Sequence, residues 1–303
     1  MSDKFFKEGS KSPEAEKKSK IILQFLRHGK REKGKTLEED ASNNLRLTKE
    51  GRAQIDKKRK DLKPQAEVSL AWGSPRLRTH ETAYRAMLEQ IGPDDTLEEI
   101  EKKVSEELKE GEKGGKKIIV DERLNFQSGG PIGKEADEAY YAGRYLPYLV
   151  DESDKRAVEM GDAVTSTYTR NSANVAEIVK RYLSVSRNFN QIVSRTDKYE
   201  KFGNQLERYL GTHQAVSESF AAKIIEKVEG SGARQEFLDA VGGGFKEGEG
   251  VRVEIENSGG QEKIFLKYKI GEEGKTVELT EAVIDEIIRE REEFEKAVLE
   301  HSQ

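Results

Sequence analysis

The apolar positions of the chain occur in short runs separated by segments of helical periodicity. Residues 20–26 form an apolar run without strict alternation, which is typical of a strand buried on both faces. Val68, Leu70 and Trp72 alternate with other residues and share one face of another strand. Four strands are predicted in this way, over residues 20–26, 66–74, 117–124 and 206–213.

Amphipathic helices are predicted between these strands and at the end of the chain. Thr48 suits the N-cap of one helix, and Ser74 followed by Pro75 suits the start of the next. Because strands and helices alternate, the pattern predicts an α/β fold, a three-layer sandwich whose mostly parallel sheet is flanked by helices. The helices are predicted over residues 47–62, from Pro75 to Ile91, and over 96–117, 217–230 and 279–299.

One domain is predicted over residues 19–303, preceded by a polar mobile tail over residues 1–18. Residues 126–204 contain helical segments rich in tyrosine and arginine, and we expect a helical lid insertion there. Residues 251–270 alternate on both sides of an Asn-Ser-Gly-Gly turn, which predicts a C-terminal β-hairpin. This hairpin either extends the sheet or mediates dimerisation, so a homodimer stays open as an alternative.

Composition excludes several classes of function. The 303 residues include 53 lysines and arginines against 58 aspartates and glutamates, a net charge of −5 that argues against nucleic-acid binding. The chain has no cysteine, so disulfides, a thiolate nucleophile and sulfur-bound metals are excluded.

No apolar run reaches the roughly 18 residues of a membrane span, and the N-terminus lacks the apolar centre of a signal peptide. We therefore expect a cytoplasmic protein without membrane contact. Four scattered histidines predict neither a metal site nor a cofactor.

Cationic residues and histidines lie where strands end. Arg27 and His28 end the first strand, His213 ends a later one, and Arg78 lies in the first turn of the helix after Ser74-Pro75. Functional sites of parallel sheets lie beyond the carboxyl ends of the strands, and a helix N-terminus favours an anion. These residues therefore predict a phosphate pocket. His80 lies about 200° around the helix from Arg78, which indicates a structural role.

Four motifs in order resemble the histidine phosphatase superfamily (phosphoglycerate mutase-like), branch one, over roughly residues 20–228. They are LRHG after the first strand, LT-x-x-G, SP-x-x-R-x-x-x-TA, and TH at the end of a late strand. The resemblance implies that His28 is the nucleophile that becomes a phosphohistidine. It also implies that the phosphate is held by Arg27, Arg78, His213, an additional arginine at Arg31, and the backbone N–H of Gln214.

The chain departs from the family pattern at the general acid. The customary glutamate position of branch one holds Phe126, and the position after the second histidine, where the other branch has an acid, holds Gln214. Glu122 is predicted as the substitute, because strand alternation would place it on the face of Phe126. Glu135 and Asp137 in the predicted lid are alternatives.

Three functions follow from this departure. The first is a phosphatase that hydrolyses a phosphate ester of a small molecule or a phosphoprotein through phosphohistidine at His28. The second is a phospho-ligand-binding module with little or no turnover. The third, a phosphomutase, is disfavoured because residues 30–33 read Lys-Arg-Glu-Lys rather than the mutase continuation. Within the insertion, Arg144, Arg156 and Arg170 suggest a polar, sizeable ligand.

Overall fold

The protein is described by a computed structural model. Its described residues are 18–36, 39, 42–62, 69–88, 91–92, 94–110, 119–193, 204–258 and 260–301. The predicted tail lies outside them except for Lys18, which begins the first strand.

The described residues include seven strands in one sheet. The strands are β1 (Lys18–Arg27), β2 (Ser69–Gly73), β3 (Ile119–Val120), β4 (Gln205–Thr212), β5 (Gly250–Ser258), β6 (Gln261–Ile270) and β7 (Glu273–Leu279). Their order in the sheet is β3-β2-β4-β1-β5-β6-β7. The neighbours among β3, β2, β4 and β1 pair in parallel, whereas β5, β6 and β7 add antiparallel neighbours beyond β1.

Helices cover both faces of the sheet. The helices are α1 (Lys49–Leu62), α2 (Leu77–Met87), α3 (Leu97–Glu110), α4 (Gly133–Tyr141), α5 (Tyr145–Tyr148), α6 (Asp154–Glu159), α7 (Tyr168–Val193), α8 (Val216–Glu229), α9 (Ser231–Val241) and α10 (Glu281–His301). The helices α1, α2 and α3 pack on one face, and α7, α8 and α10 pack on the other. None of the described helices is both long and apolar enough to cross a bilayer.

The predicted α/β sandwich is confirmed, but its sheet is more evenly mixed than the mostly parallel sheet that we expected. The predicted hairpin is present as β5 and β6, and it extends the sheet because β5 pairs antiparallel with β1. The seventh strand, β7, was not predicted. Of its seven residues only Val277 and Leu279 are buried, so its sequence carries little apolar signal.

The strand predicted over residues 117–124 is shorter than expected and is followed by a 3₁₀ turn. Only Ile119–Val120 pair with β2, and Glu122–Leu124 form a 3₁₀ turn. The carboxylate of Asp121 caps this turn, since it accepts the backbone N–H of Arg123 at 3.0 Å. Side-chain capping by aspartate competes with strand pairing, so the chain turns where alternation was expected to continue. Residues 117 and 118 lie outside the described residues.

The segment predicted as an insertion divides into two structural parts. Residues 126–167 contain the short helices α4, α5 and α6 and a π-helical turn at Leu149–Ser153. The long helix α7 instead packs against α8, α10 and the sheet, so it belongs to the layered core. The part that borders the candidate site is therefore shorter than predicted. Residues 194–203 lie outside the described part of the chain.

Candidate active site

His28 and His213 meet because their strands are parallel neighbours in register. Arg27 at the end of β1 lies opposite Thr212 at the end of β4, and the N–H of His28 donates to the carbonyl of Thr212 at 2.9 Å. The two imidazole rings are 5.2 Å apart between centroids in an edge-to-face arrangement. The predicted convergence at the carboxyl ends of these strands is thus present.

The hydrogen bonds of His28 fix its tautomer. Its Nδ1 lies 2.8 Å from the carbonyl oxygen of Gly29, which can only accept, so Nδ1 carries the proton. The other nitrogen, Nε2, then has a lone pair, and Nε of Arg78 donates to it at 3.3 Å. Burial and the positive charge of Arg78 hold the pKa of His28 well below its usual value. Near pH 7 the imidazole is therefore neutral, with its lone pair on Nε2.

Arg78 is held in place by the first turns of α2. Its side chain is almost completely buried, and its backbone carbonyl accepts the hydroxyl of Thr82 at 2.8 Å. The Thr82 oxygen in turn accepts the N–H of Gly29 at 3.2 Å. The threonine of the SP-x-x-R-x-x-x-TA motif therefore ties α2 to the segment that carries His28.

His213 is positioned by Ser74. The hydroxyl of Ser74 lies 2.9 Å from Nε2 of His213 and also accepts the backbone N–H of Arg76 at 3.2 Å. Helix α2 begins at Leu77, so Ser74 is not the side-chain N-cap that we predicted. Burial and the neighbouring imidazole of His28 hold the pKa of His213 well below its usual value. Its Nδ1 is buried without a hydrogen-bond partner among the described residues.

Arg76 and Phe126 form a wall that the sequence did not predict. The guanidinium of Arg76 lies 4.4 Å from the ring centroid of Phe126, and its Nε donates to Oδ1 of Asn125 at 3.1 Å. The Phe126 ring is 5.2 Å from that of His213. The position that holds the customary glutamate is therefore filled by an apolar ring against the second histidine. The motif leaves the Arg76 position open, so it gave no signal for this arginine.

A cavity of about 330 Å³ opens at these residues. Predicted residues Arg31 and Gln214 line it together with His28, Arg78 and His213. Gln214 precedes Ala215, whose positive φ of 69° turns the chain from β4 into α8. The remaining lining residues are Arg76, Phe126, Ser128, Ala136, Asp137, Tyr140, Tyr141 and Tyr145.

Two predicted site residues do not line this cavity. Arg27 donates through Nη1 to the carbonyl of Phe245 at 2.5 Å, so its guanidinium is engaged by the loop before β5. Glu122 is exposed in the 3₁₀ turn, and its carboxylate accepts a long bond of 3.5 Å from Asn125. Because the strand ends at Val120, the alternation that selected Glu122 does not apply, and that placement is wrong.

The two acids of the predicted lid differ in their surroundings. Glu135 accepts two bonds from Arg156, at 2.9 and 2.6 Å, and this ion pair lowers the pKa of Glu135. Asp137 lines the cavity, and partial desolvation raises its pKa. Of the two alternatives, Asp137 is therefore the one placed near the two histidines.

The arginines that suggested a sizeable ligand form ion pairs outside the cavity. Arg144 pairs with Glu152 at 3.4 Å and Arg170 with Glu295 at 2.8 Å, and neither lines the cavity. His80 has the structural role that we predicted, since its Nε2 lies 2.5 Å from the carbonyl of Ser74, behind the site. Within the described part of the chain, no cluster of three or more histidine or carboxylate side chains could bind a metal ion.

Comparison with known families agrees with this geometry. Residues 23–117, which include His28 and Arg78, match the model of the histidine phosphatase superfamily (branch 1). The resemblance to this superfamily is thereby confirmed. No curated protein sequence matches the chain.

The solved structures that match the chain include phosphatases and a phosphoglycerate mutase. A mycobacterial glucosyl-3-phosphoglycerate phosphatase is 14% identical and aligns over 79% of this chain and 90% of its own, with a TM-score of 0.38. The phosphoglycerate mutase of Bacillus anthracis is 12% identical over 89% and 98%, with a TM-score of 0.43. A phosphoserine phosphatase variant from Entamoeba histolytica, in complex with phosphoserine, is 13% identical over 81% and 94%, with a TM-score of 0.36.

Proposed function

We propose that the protein is a phosphatase that hydrolyses a phosphate monoester through a phosphohistidine at His28. The observation that carries this proposal is the half-buried imidazole of His28, whose Nδ1 proton is held by the carbonyl of Gly29 and whose Nε2 lone pair lies beside the guanidinium of Arg78. A nucleophile must be unprotonated to attack phosphorus, and the charge of Arg78 favours that state.

The first step transfers the phosphoryl group to the protein. A bond forms between phosphorus and Nε2 of His28 while the bond from phosphorus to the ester oxygen breaks. Arg78 can grip the equatorial phosphate oxygens, and Nδ1 of His213, which is unpartnered among the described residues, can contact a further one. Arg31 and Gln214 line the same cavity and complete the binding site.

The second step releases phosphate. The oxygen of a water molecule bonds to phosphorus, the bond between phosphorus and Nε2 breaks, and one proton of the water passes to a base in the cavity or to solvent. His28 returns to its neutral form with the proton still on Nδ1, because the carbonyl of Gly29 continues to accept it. The reaction thus crosses two moderate activation barriers instead of a single high one.

The test is the substitution His28→Gln, assayed with an aryl phosphate and with radiolabelled substrate. We expect turnover to fall by about 10³-fold or more, the scale for loss of a nucleophile, and covalent label to disappear. His301→Gln, an exposed histidine in the last turn of α10, is the matched control and should retain both. Turnover of His28→Gln at the wild-type rate would refute the assignment.

One observation favours a second candidate, a phospho-ligand-binding module without turnover. Phe126 fills the place of the customary acid and packs against His213 and Arg76. Calorimetric binding of a phosphate ester to wild-type protein that neither releases phosphate nor forms phosphohistidine would select this function over the phosphatase.

A further inference from the structure

The first chemical step needs a proton donor for the ester oxygen, and Phe126 cannot supply one. When the bond between phosphorus and the ester oxygen breaks, that oxygen gains negative charge, and an alkyl leaving group needs a proton. A positioned acid typically contributes about 10²–10⁴-fold to such a step. The phenyl ring of Phe126 has no proton to give.

Helix α4 brings a carboxylate to the same cavity. Ala136, Asp137, Tyr140 and Tyr141 lie on one side of this helix and line the cavity that also contains His28. Among the described lining residues Asp137 is the only carboxylic acid. It reaches the cavity from α4 rather than from the end of β3.

The carboxyl group of Asp137 is not committed to another role. It forms no hydrogen bond or ion pair with the part of the chain that the structure describes, whereas Glu135 two residues earlier is held by Arg156. Partial desolvation raises the pKa of Asp137 and so favours the protonated form that a proton donor needs.

Tyr145 lines the cavity and interacts electrostatically with both Asp137 and Arg76. Burial raises the pKa of the Tyr145 phenol strongly, the charge of Asp137 raises it further, and the charge of Arg76 opposes this. Arg76 in turn lies over Phe126, whose ring contacts His213. Asp137, Tyr145 and Arg76 therefore line the same cavity as the two histidines.

We propose that Asp137 is the general acid of this site, in place of the glutamate that Phe126 replaces. The inference rests on the proposed phosphatase function. The carboxyl proton of Asp137 moves to the ester oxygen as its bond to phosphorus breaks. The resulting carboxylate then takes a proton from the water whose oxygen attacks the phosphohistidine, which restores the starting state.

The experiment compares Asp137→Asn with wild type on an alkyl phosphate and on an aryl phosphate with an electron-withdrawing ring. We expect kcat for the alkyl ester to fall about 10²-fold or more, because its leaving oxygen requires the proton. Formation of phosphohistidine from the aryl ester should stay near the wild-type rate, since that leaving group departs as an anion.

The matched control is Glu138→Gln, an exposed carboxylate on the same helix that pairs with Lys134 at 3.8 Å and does not line the cavity. It should behave as wild type with both esters. Asp137→Glu should recover part of the alkyl activity because it restores an ionisable carboxyl group. Thermal unfolding of each variant identifies any loss that comes from misfolding.

Distinct results would overturn the inference and the proposed function. An equal loss of alkyl and aryl reaction in Asp137→Asn would assign Asp137 to binding or structure. Unchanged alkyl turnover, or a leaving-group-dependent loss in Glu122→Gln instead, would place the acid elsewhere while leaving the phosphatase intact. A wild-type protein that reacts with neither ester and forms no phosphohistidine would refute both proposals.

Discussion

At the scale of single residues, the site is built from histidines that are held without charge. His213 is almost inaccessible and His28 is half-buried, and desolvation together with neighbouring positive charge holds the pKa of each well below its usual value of about 6.5. In the unfolded chain both would titrate normally. Below about pH 6.5 the unfolded state therefore binds more protons than the folded state, so acid favours unfolding.

This linkage gives a prediction for stability against pH. Between pH 6 and pH 5, each of these two neutral histidines should remove up to about 1.4 kcal/mol of unfolding free energy per pH unit. Urea unfolding at both pH values should show a shallower loss for His28→Gln than for wild type, by up to that amount. Identical losses in the two proteins would mean that His28 is not held neutral in the folded state.

The residues that could be predicted from the sequence are those fixed by strand ends and motif spacing. His28, Arg78 and His213 follow from the order of the motifs and from the convergence of parallel strands. Arg76 gave no signal because the motif leaves its position open, and Asp137 was only one of several alternatives because its position depends on the path of the chain after β3. That path is set by the local cap at Asp121, which a pattern of apolar residues does not reveal.

At the scale of elements, two glycines allow α1 to approach the segment that carries His28. A Cβ atom on Gly51 would lie 2.1 Å from the carbonyl oxygen of Lys30, and one on Gly29 would lie 2.7 Å from the carbonyl oxygen of Gly51. Thr48 caps the helix as predicted, since its hydroxyl accepts the N–H of Gly51 at 3.0 Å. The glycine of the LT-x-x-G motif is therefore explained by close backbone packing.

Gly51→Ala tests this packing. The added methyl group meets backbone atoms that cannot rotate away, so we expect the unfolding free energy to fall by about 1–3 kcal/mol and turnover to decrease. Gly232→Ala, near the start of α9, meets no atom within 4 Å and should be neutral or stabilising by up to about 1 kcal/mol. Equal unfolding midpoints for the two variants in urea would contradict the close approach.

Element prediction succeeded where burial is strong and failed where it is weak. The apolar runs of β1 and β4 and the alternating runs of β5 and β6 gave correct strands, because the sheet buries them on one or both faces. The seventh strand, β7, lies at an edge and is largely exposed, so pairing with β6 rather than its own composition determines its structure.

At the scale of the whole molecule, Arg170 joins the C-terminal helix to the segment around the site. It donates to the backbone carbonyls of Asp162 and Thr165 at 2.6 and 2.7 Å and binds Glu295 of α10 at 2.8 and 2.9 Å. An arginine that the sequence suggested for ligand contact therefore fastens α7 and its preceding loop to the end of the chain.

Replacing this arginine should weaken the fold rather than the chemistry. We expect Arg170→Met to lower the unfolding free energy by about 2–3 kcal/mol, because two buried carbonyls lose their donor. Arg289→Met, an exposed arginine of α10 at 3.9 Å from Glu293, is the control and should change little. Urea unfolding followed by circular dichroism measures both, and equal stability would show that Arg170 contributes no net energy.

The antiparallel extension makes β1 the middle strand of seven, with three strands on each side. His28 therefore follows the strand farthest from both margins of the sheet. Fraying of the two-residue β3, or an addition beyond the charged, solvent-facing β7, is separated from its imidazole by several paired strands. The margins of this sheet are thus free to vary in length and partners while the candidate site keeps its shape.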